Sequence, residues 1–287
     1  MISRRTFLRR ATLLATGLLI VSCDVQEPSA VRTAAPTRPV QPPTAIRPTE
    51  ALEPTVTAAP PSPTASPAPS PTPALDAEVD RLLARMSVEQ KVGQVMIVAF
   101  REATISPAIA EMVRDRHAGG VILFTQNLGD PQHARELIDG LQVLALGSGA
   151  GIPLFTAMDQ EGGVVYRSAN GATVWPSQML FGAAGDGDLV DRCARMTAAE
   201  LRALGINVNF APVLDVNNNP ANPVIGTRSF GADPRAVAAL GVRAIAAYQG
   251  SGVVAVGKHF PGHGDTDVDS HLALPVIDKS AGDLEAF

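Results

Sequence analysis

From about Leu75 onward the chain alternates between two patterns. Short, continuous apolar runs end in glycine or polar residues: VMIVAF (95–100), GGVILF (119–124), IPLFTAMDQEGG (152–163), INVNFAPVLDV (206–216) and GVVAVGKHFPG (252–262). Between them lie segments of helical composition: PAIAEMVRDRH, PQHARELIDGLQVLAL, GDLVDRCARMTAAELRALG and PRAVAALGVRAIAAYQG. Strands buried on both faces of a parallel sheet carry unbroken apolar runs, and their crossovers are helices. The pattern therefore predicts five βα units. Ahead of them, LDAEVDRLLARM sets Leu75, Val79, Leu82, Leu83 and Met86 at helical spacing. Ser87 then opens SVEQKVGQ as an N-cap, with Gln90 three residues on completing a capping box.

Two folds fit such units: a doubly wound sheet and a (β/α)8 barrel. No G-x-G-x-x-G follows the first strand, so a dinucleotide-binding sheet has little support. Polar residues gather at the C-terminal ends of strands three, four and five: Asp159, Asp215, Lys258 and His259. In a barrel that rim carries the catalytic groups. The expected fold class is α/β, a (β/α)8 TIM-type barrel, incomplete at about five units.

Residues 1–74 follow neither pattern. MISRRTFLRR carries Arg4-Arg5, then an apolar run from Ala11 to Val21. That run is too short to span a bilayer but suits a signal-peptide core. The twin arginines resemble a Tat signal, and Leu19-Ile20-Val21-Ser22-Cys23 resembles a bacterial lipobox. Residues 1–23 are expected to be a lipoprotein signal, with Cys23 the lipidated residue. Acyl chains contribute about 0.8 kcal/mol per buried CH2, so several chains anchor firmly to the outer face of a membrane. Residues 24–74 hold more than half of the chain's 24 prolines, mixed with Thr, Ser and Ala. Such a segment leans towards polyproline II and reads as a disordered stalk. Residues 75–287 form the globular part.

Net charge is −5, which argues against a nucleic-acid partner. The two cysteines, Cys23 and Cys193, make no disulfide framework, and Cys193 has the helical setting of a small buried hydrophobe. Nothing in the sequence sets an oligomeric state. The densest chemistry is KHFPGHGDTDVDSH (258–271), with three of the five histidines. Neighbouring residues on a strand face opposite ways, so Lys258 and His259 share a pocket only where the strand ends. Phe260-Pro261-Gly262 supplies a break. His263, Asp265 and Asp267 suit a loop shaped by local hydrogen bonds. Trp175, in TVWPS, is either a stacking platform for a ligand or packing under a loop.

DQEGGVVYR (159–167), NVNFAPVLDV (207–216), IGTRSF (225–230) and KHFPGHGDTDVDSH together resemble glycoside hydrolase family 3, in particular its β-N-acetylhexosaminidase branch. The resemblance runs from about Met86 to the end. It implies a carbohydrate substrate bound by Asp159, Arg167, Arg228, Lys258 and His259. A carboxylate among cationic donors suits sugar hydroxyls, which both donate and accept. It implies His271 as general acid/base, with Asp269 as its partner. A histidine near its unperturbed value moves protons at neutral pH, and a carboxylate beside it fixes the tautomer. Most glycosidases use a carboxylic acid here, so the histidine distinguishes the branch. No cofactor and no metal are implied.

The resemblance also implies an Asp nucleophile on a later strand-end loop, some tens of residues beyond the DSH motif. The globular part, 213 residues, is short of the ~250 typical of a whole barrel. The expectation is therefore a truncated catalytic domain, inactive as given. It belongs to an enzyme that removes terminal β-N-acetylglucosamine from peptidoglycan- or chitin-derived saccharides by a retaining mechanism. Two alternatives stand beside it: a non-catalytic sugar-binding lipoprotein, which would have no use for the Asp269–His271 pair, and a family 3 phosphorylase. A histidine acid/base carries no negative charge to repel phosphate.

Overall fold

The apolar runs become strands of one parallel sheet, and the helical segments become the connections between them. The computed structural model describes residues 73–167, 172–280 and 282–283. The expected signal sequence, Cys23 and the proline-rich stalk lie outside the described residues. The strands are β1 (Ile97–Ala99), β2 (Gly120–Ile122), β3 (Phe155–Met158), β4 (Val208–Asn209) and β5 (Val254–Ala255). Their order in the sheet is β1-β2-β3-β4-β5, and every pair is parallel. Among the described residues the order never reverses, and no topological switch point of the doubly wound kind appears. Strands added one after another in a single direction are the arrangement of a barrel wall.

The helices start and stop where the residues say they should. After α1 (Pro73–Arg85), helix α2 (Val88–Gln94) opens on the Ser87/Gln90 capping box. Helix α3 (Pro107–Arg114) has Pro at its start, and the short α4 (Thr125–Leu128) follows β2. Helix α5 (Pro131–Leu146) begins on Asp130, whose side chain accepts from the His133 amide. Helix α6 (Gln178–Ala184) ends on a left-handed Gly185. Helix α7 (Gly187–Leu204) runs from the Asp186 cap to a left-handed Gly205, and α8 (Pro234–Gly250) starts on Asp233. Acceptor side chains at Ser87, Asp130, Asp186 and Asp233, and glycines at Gly147, Gly185 and Gly205, satisfy free groups at those ends.

The core lies between the sheet and these helices. Val121, Leu123, Ile138, Leu141, Leu154, Met158 and Leu201 are fully buried there. Each such side chain contributes roughly 1.5–3 kcal/mol by leaving water. The other face of the sheet is different. Register places Ile97, Gly120 and Phe155 in one row on that face, with Val254 two rows further on. Ile97, Phe155 and Val254 are exposed. Ala157 and Val208, in the row of Val254, are buried, so this face is only partly covered, where continuous apolar runs suggested burial on both faces. In a closed barrel that inner face is filled by residues from all the strands, and five strands leave it open.

Candidate functional site

The site begins at the end of β3. Asp159 and Glu161 follow the strand, and the chain then turns back on itself. Gly162 and Gly163 both adopt positive φ, 89° and 60°. A side chain on Gly163 would come within 2.8 Å of Ser177. The Val165 carbonyl accepts from the Glu161 and Gly162 amides, at 2.9 and 3.1 Å. This reversal brings Arg167 beside Asp159, eight residues behind it. The Arg167 amide donates to Gln160 Oε1 at 2.9 Å, and its guanidinium lies 5.4 Å over the Phe124 ring, within cation–π range. Arg167 Nη2 is 3.7 Å from Asp159 Oδ2, an ion pair too long for a hydrogen bond.

Buried asparagine pins the segment from the neighbouring strand. Asn209, on β4, accepts from the Gln160 amide at 3.0 Å and donates to its carbonyl at 3.1 Å. Beyond β4 the pairing with the β5 segment resumes, through a parallel bridge from Val213 to Lys258. The Leu214 amide donates to the Lys258 carbonyl at 2.6 Å. The ladder therefore carries Asp215 and Lys258 to the same rim.

Lys258 Nζ lies 2.5 Å from Asp159 Oδ1 and 2.5 Å from Glu161 Oε1. Arg228 closes the group from a 3-10 turn, Gly226–Arg228. Its Nε and Nη2 each donate to Glu161 at 2.8 Å, a bidentate pair. The Glu161 side chain is only 1% exposed. Burial works to lower the Arg228 pKa, but the Glu161 hydrogen bonds and the charges of Glu161, Asp215 and Asp159 outweigh it and hold it above the usual value. His259 also reaches this group: Nδ1 is 2.6 Å from Asp215 Oδ2, and Nε2 is 3.3 Å from Arg228 Nη2. The peptide joining Lys258 to His259 is cis. All five residues expected to bind sugar therefore meet in one place: Asp159, Arg167, Arg228, Lys258 and His259.

The Asp269–His271 pair forms as expected but lies in another setting. One oxygen, Asp269 Oδ1, accepts from the His271 amide at 2.8 Å and faces its Nδ1 at 2.7 Å. The His271 side chain is 78% exposed. Backbone and ring hydrogen bonds from His271 lower the Asp269 pKa against a small effect of burial.

Several residues that carry this geometry were not singled out from the sequence. Glu161 is the hub of the network, yet only its place in DQEGG marks it. Asn219 and Asn222 had no assigned role. Asn222 Oδ1 accepts from the Val224 and Ile225 amides, fixing the turn that carries Arg228. Its Nδ2 donates to the His263 carbonyl at 2.7 Å. Asn219 Nδ2 donates to the carbonyls of Asp265 and Thr266. The loop is thus held by asparagines from across the site, more than by its own Asp265 and Asp267. Asp265 instead pairs with Lys279. Trp175 packs against the main core, on the structural side of the two readings.

A balanced set of acids and bases, on the strand-end rim of a barrel-type sheet, suits an uncharged ligand rich in hydroxyl groups. The chain belongs to glycosyl hydrolase family 3: it matches the family's N-terminal domain over residues 87–287. It is 44% identical to "Beta-hexosaminidase A" of Pseudoalteromonas piscicida over 179 residues, 61% of this chain and 30% of that protein. Among solved structures, it is similar to a glycoside hydrolase family 3 beta-N-acetylglucosaminidase from Paenibacillus sp., with TM-score 0.67 and 46% identity. That match covers 70% of this chain and 38% of the other. Native NagZ from Neisseria gonorrhoeae matches with TM-score 0.61 and 33% identity, over 67% of this chain and 56% of the other. The chain therefore spans about a third to a half of the length of these relatives.

Proposed function

We propose that this chain is the sugar-binding and proton-transferring part of a retaining β-N-acetylhexosaminidase. The complete enzyme removes terminal β-N-acetylglucosamine from peptidoglycan- or chitin-derived saccharides. The observation that carries this reading is the convergence of Asp159, Arg167, Arg228, Lys258 and His259, with a hydrogen-bonded Asp269–His271 pair in the loop that follows. The relatives named above supply the class of sugar.

In this mechanism His271 gives a proton to the glycosidic oxygen as its bond to C1 breaks. An aspartate carboxylate bonds to C1 on the opposite face. Water, deprotonated by His271, then displaces that carboxylate. Asp159 and Glu161 are already committed to Lys258, Arg167 and Arg228. Neither of them is therefore the nucleophile, and the family resemblance implies an aspartate on a strand-end loop later than the DSH motif for that role. We also propose export and lipid anchoring through Cys23, which holds the domain outside the cell membrane.

The test is turnover of the complete polypeptide on 4-nitrophenyl β-N-acetylglucosaminide, with and without inorganic phosphate. Release of free N-acetylglucosamine at a rate independent of phosphate is the expected result. Accumulation of the sugar 1-phosphate would assign a phosphorylase instead. Sugar binding without turnover would leave only a carbohydrate-binding protein.

A further inference from the structure

Asp215 has a position that sugar contact alone does not explain. Its side chain is fully buried at the end of the β4 segment. An isolated buried carboxylate is costly, and among the described residues no lysine or arginine forms an ion pair with it. Arg228, which approaches His259 Nε2 at 3.3 Å, feels the charge of Asp215. What Asp215 does have is three N–H donors. Oδ2 accepts from the His259 amide at 3.1 Å and lies 2.6 Å from His259 Nδ1. Oδ1 accepts from the His263 amide at 2.6 Å. Its own carbonyl accepts from Ser229 Oγ at 2.6 Å, next to Arg228.

We propose that Asp215 is a positioning residue that sets the tautomer and orientation of His259 and ties the acid/base loop to the sugar site. This rests on the reading of His259 as a sugar-binding group. A carboxylate only accepts, so the neutral imidazole must carry its proton on Nδ1. The Nε2 lone pair then faces Arg228 Nη2 and the open side of the site. His259 can accept from a sugar hydroxyl there but cannot donate. The second oxygen holds His263, whose ring meets that of His259 edge-on at 6.0 Å. One buried carboxylate thus fixes the ring of His259 and the backbone of His263, four residues on, at the start of the loop that leads to Asp269 and His271. Aspartate is required because both oxygens accept; asparagine of the same shape offers one acceptor and one donor.

The experiment uses the whole chain and needs no knowledge of the natural saccharide. Imidazole nitrogens are assigned by NMR in the wild type, in Asp215→Asn and in Asp215→Glu, and N-acetylglucosamine is titrated into each. The wild type should show His259 protonated at Nδ1. Asp215→Asn should move the proton to Nε2 or mix the tautomers. It should weaken N-acetylglucosamine binding by roughly tenfold to a hundredfold, the scale of one charge-assisted hydrogen bond. Asp215→Glu should restore the tautomer more than the affinity. A wild-type His259 protonated at Nε2 overturns the proposal whether or not the variants fold. So does an unchanged tautomer and affinity in folded Asp215→Asn. If the wild type binds no N-acetylglucosamine while Asp215 still controls the tautomer, the sugar reading fails and the positioning role stands.

Discussion

The two halves of the site differ in how their geometry is held. Around Glu161, every charged group is fixed by at least one partner from another strand end or turn, and the hub itself is almost fully enclosed. Around His271, the arrangement rests on a neighbour two residues away, and the ring stands in solvent. Binding a polyol needs several donors and acceptors in place at once, which favours a rigid, interlocked set. Moving a proton needs one group that can exchange with its surroundings. The same loop serves both ends: it is clamped by Asp215, Asn219 and Asn222 at 259–266, then runs exposed through Leu272 and Leu274. Breaking each half should therefore have a different signature.

The largest effect on folding is expected from Glu161→Ala. Removing the hub leaves Arg228 without its bidentate partner and Lys258 with only Asp159. Losing one side of a buried pair costs about 3–5 kcal/mol, because the remaining charge stays buried. Urea unfolding of the variant should show a loss on that scale. A loss of about 1 kcal/mol or less, the range of exposed pairs, would mean that water supports the network and that the contrast between the halves is wrong.

His271→Ala should behave in the opposite way. The side chain packs against nothing that its removal would open, so stability should stay within about 0.5 kcal/mol. Turnover by the complete enzyme should fall by roughly a hundredfold or more, the usual share of a general acid/base. A variant that unfolds but turns over normally when folded would reverse the assignment.

How much of this could be read in advance follows the same division. Helix α5 and helix α8 match their sequence segments from end to end, because Asp-Pro starts and helical apolar spacing are local signals. The strands were located but came out short, two to four residues each, because pairing ends depend on neighbouring strands. The gathering of Asp159, Lys258 and His259 was legible from their place at strand ends. Glu161 was not, since a carboxylate two residues after Asp159 announces no partner until Arg228 arrives from a turn 67 positions away. Asn209 and Asn222 were hidden for the same reason: an asparagine in a sequence shows no direction, and only burial reveals which backbone it satisfies. The partly exposed inner face of the sheet also escaped the pattern, because an apolar run looks alike whether or not later strands cover it.

The smallest effect expected is on the acid limb of the exposed half. His271 hydrogen bonds hold the Asp269 carboxyl below its ordinary value. A depressed carboxylate contributes its interaction fully above the unfolded value, about 3.9, and loses it as pH falls through the folded value. The Asp269–His271 contact should therefore persist through the neutral range and down past pH ~4. It should be lost only in stronger acid, without unfolding the rest. Carbon NMR of the Asp269 carboxyl should show a midpoint below that of a free aspartate. His271→Ala should raise the midpoint towards the free value by removing the ring donor while leaving the backbone amide. A midpoint already at the free value in the wild type would mean the pair is open in solution. The exposed half would then have no fixed geometry before substrate binds, which would widen its contrast with the buried half.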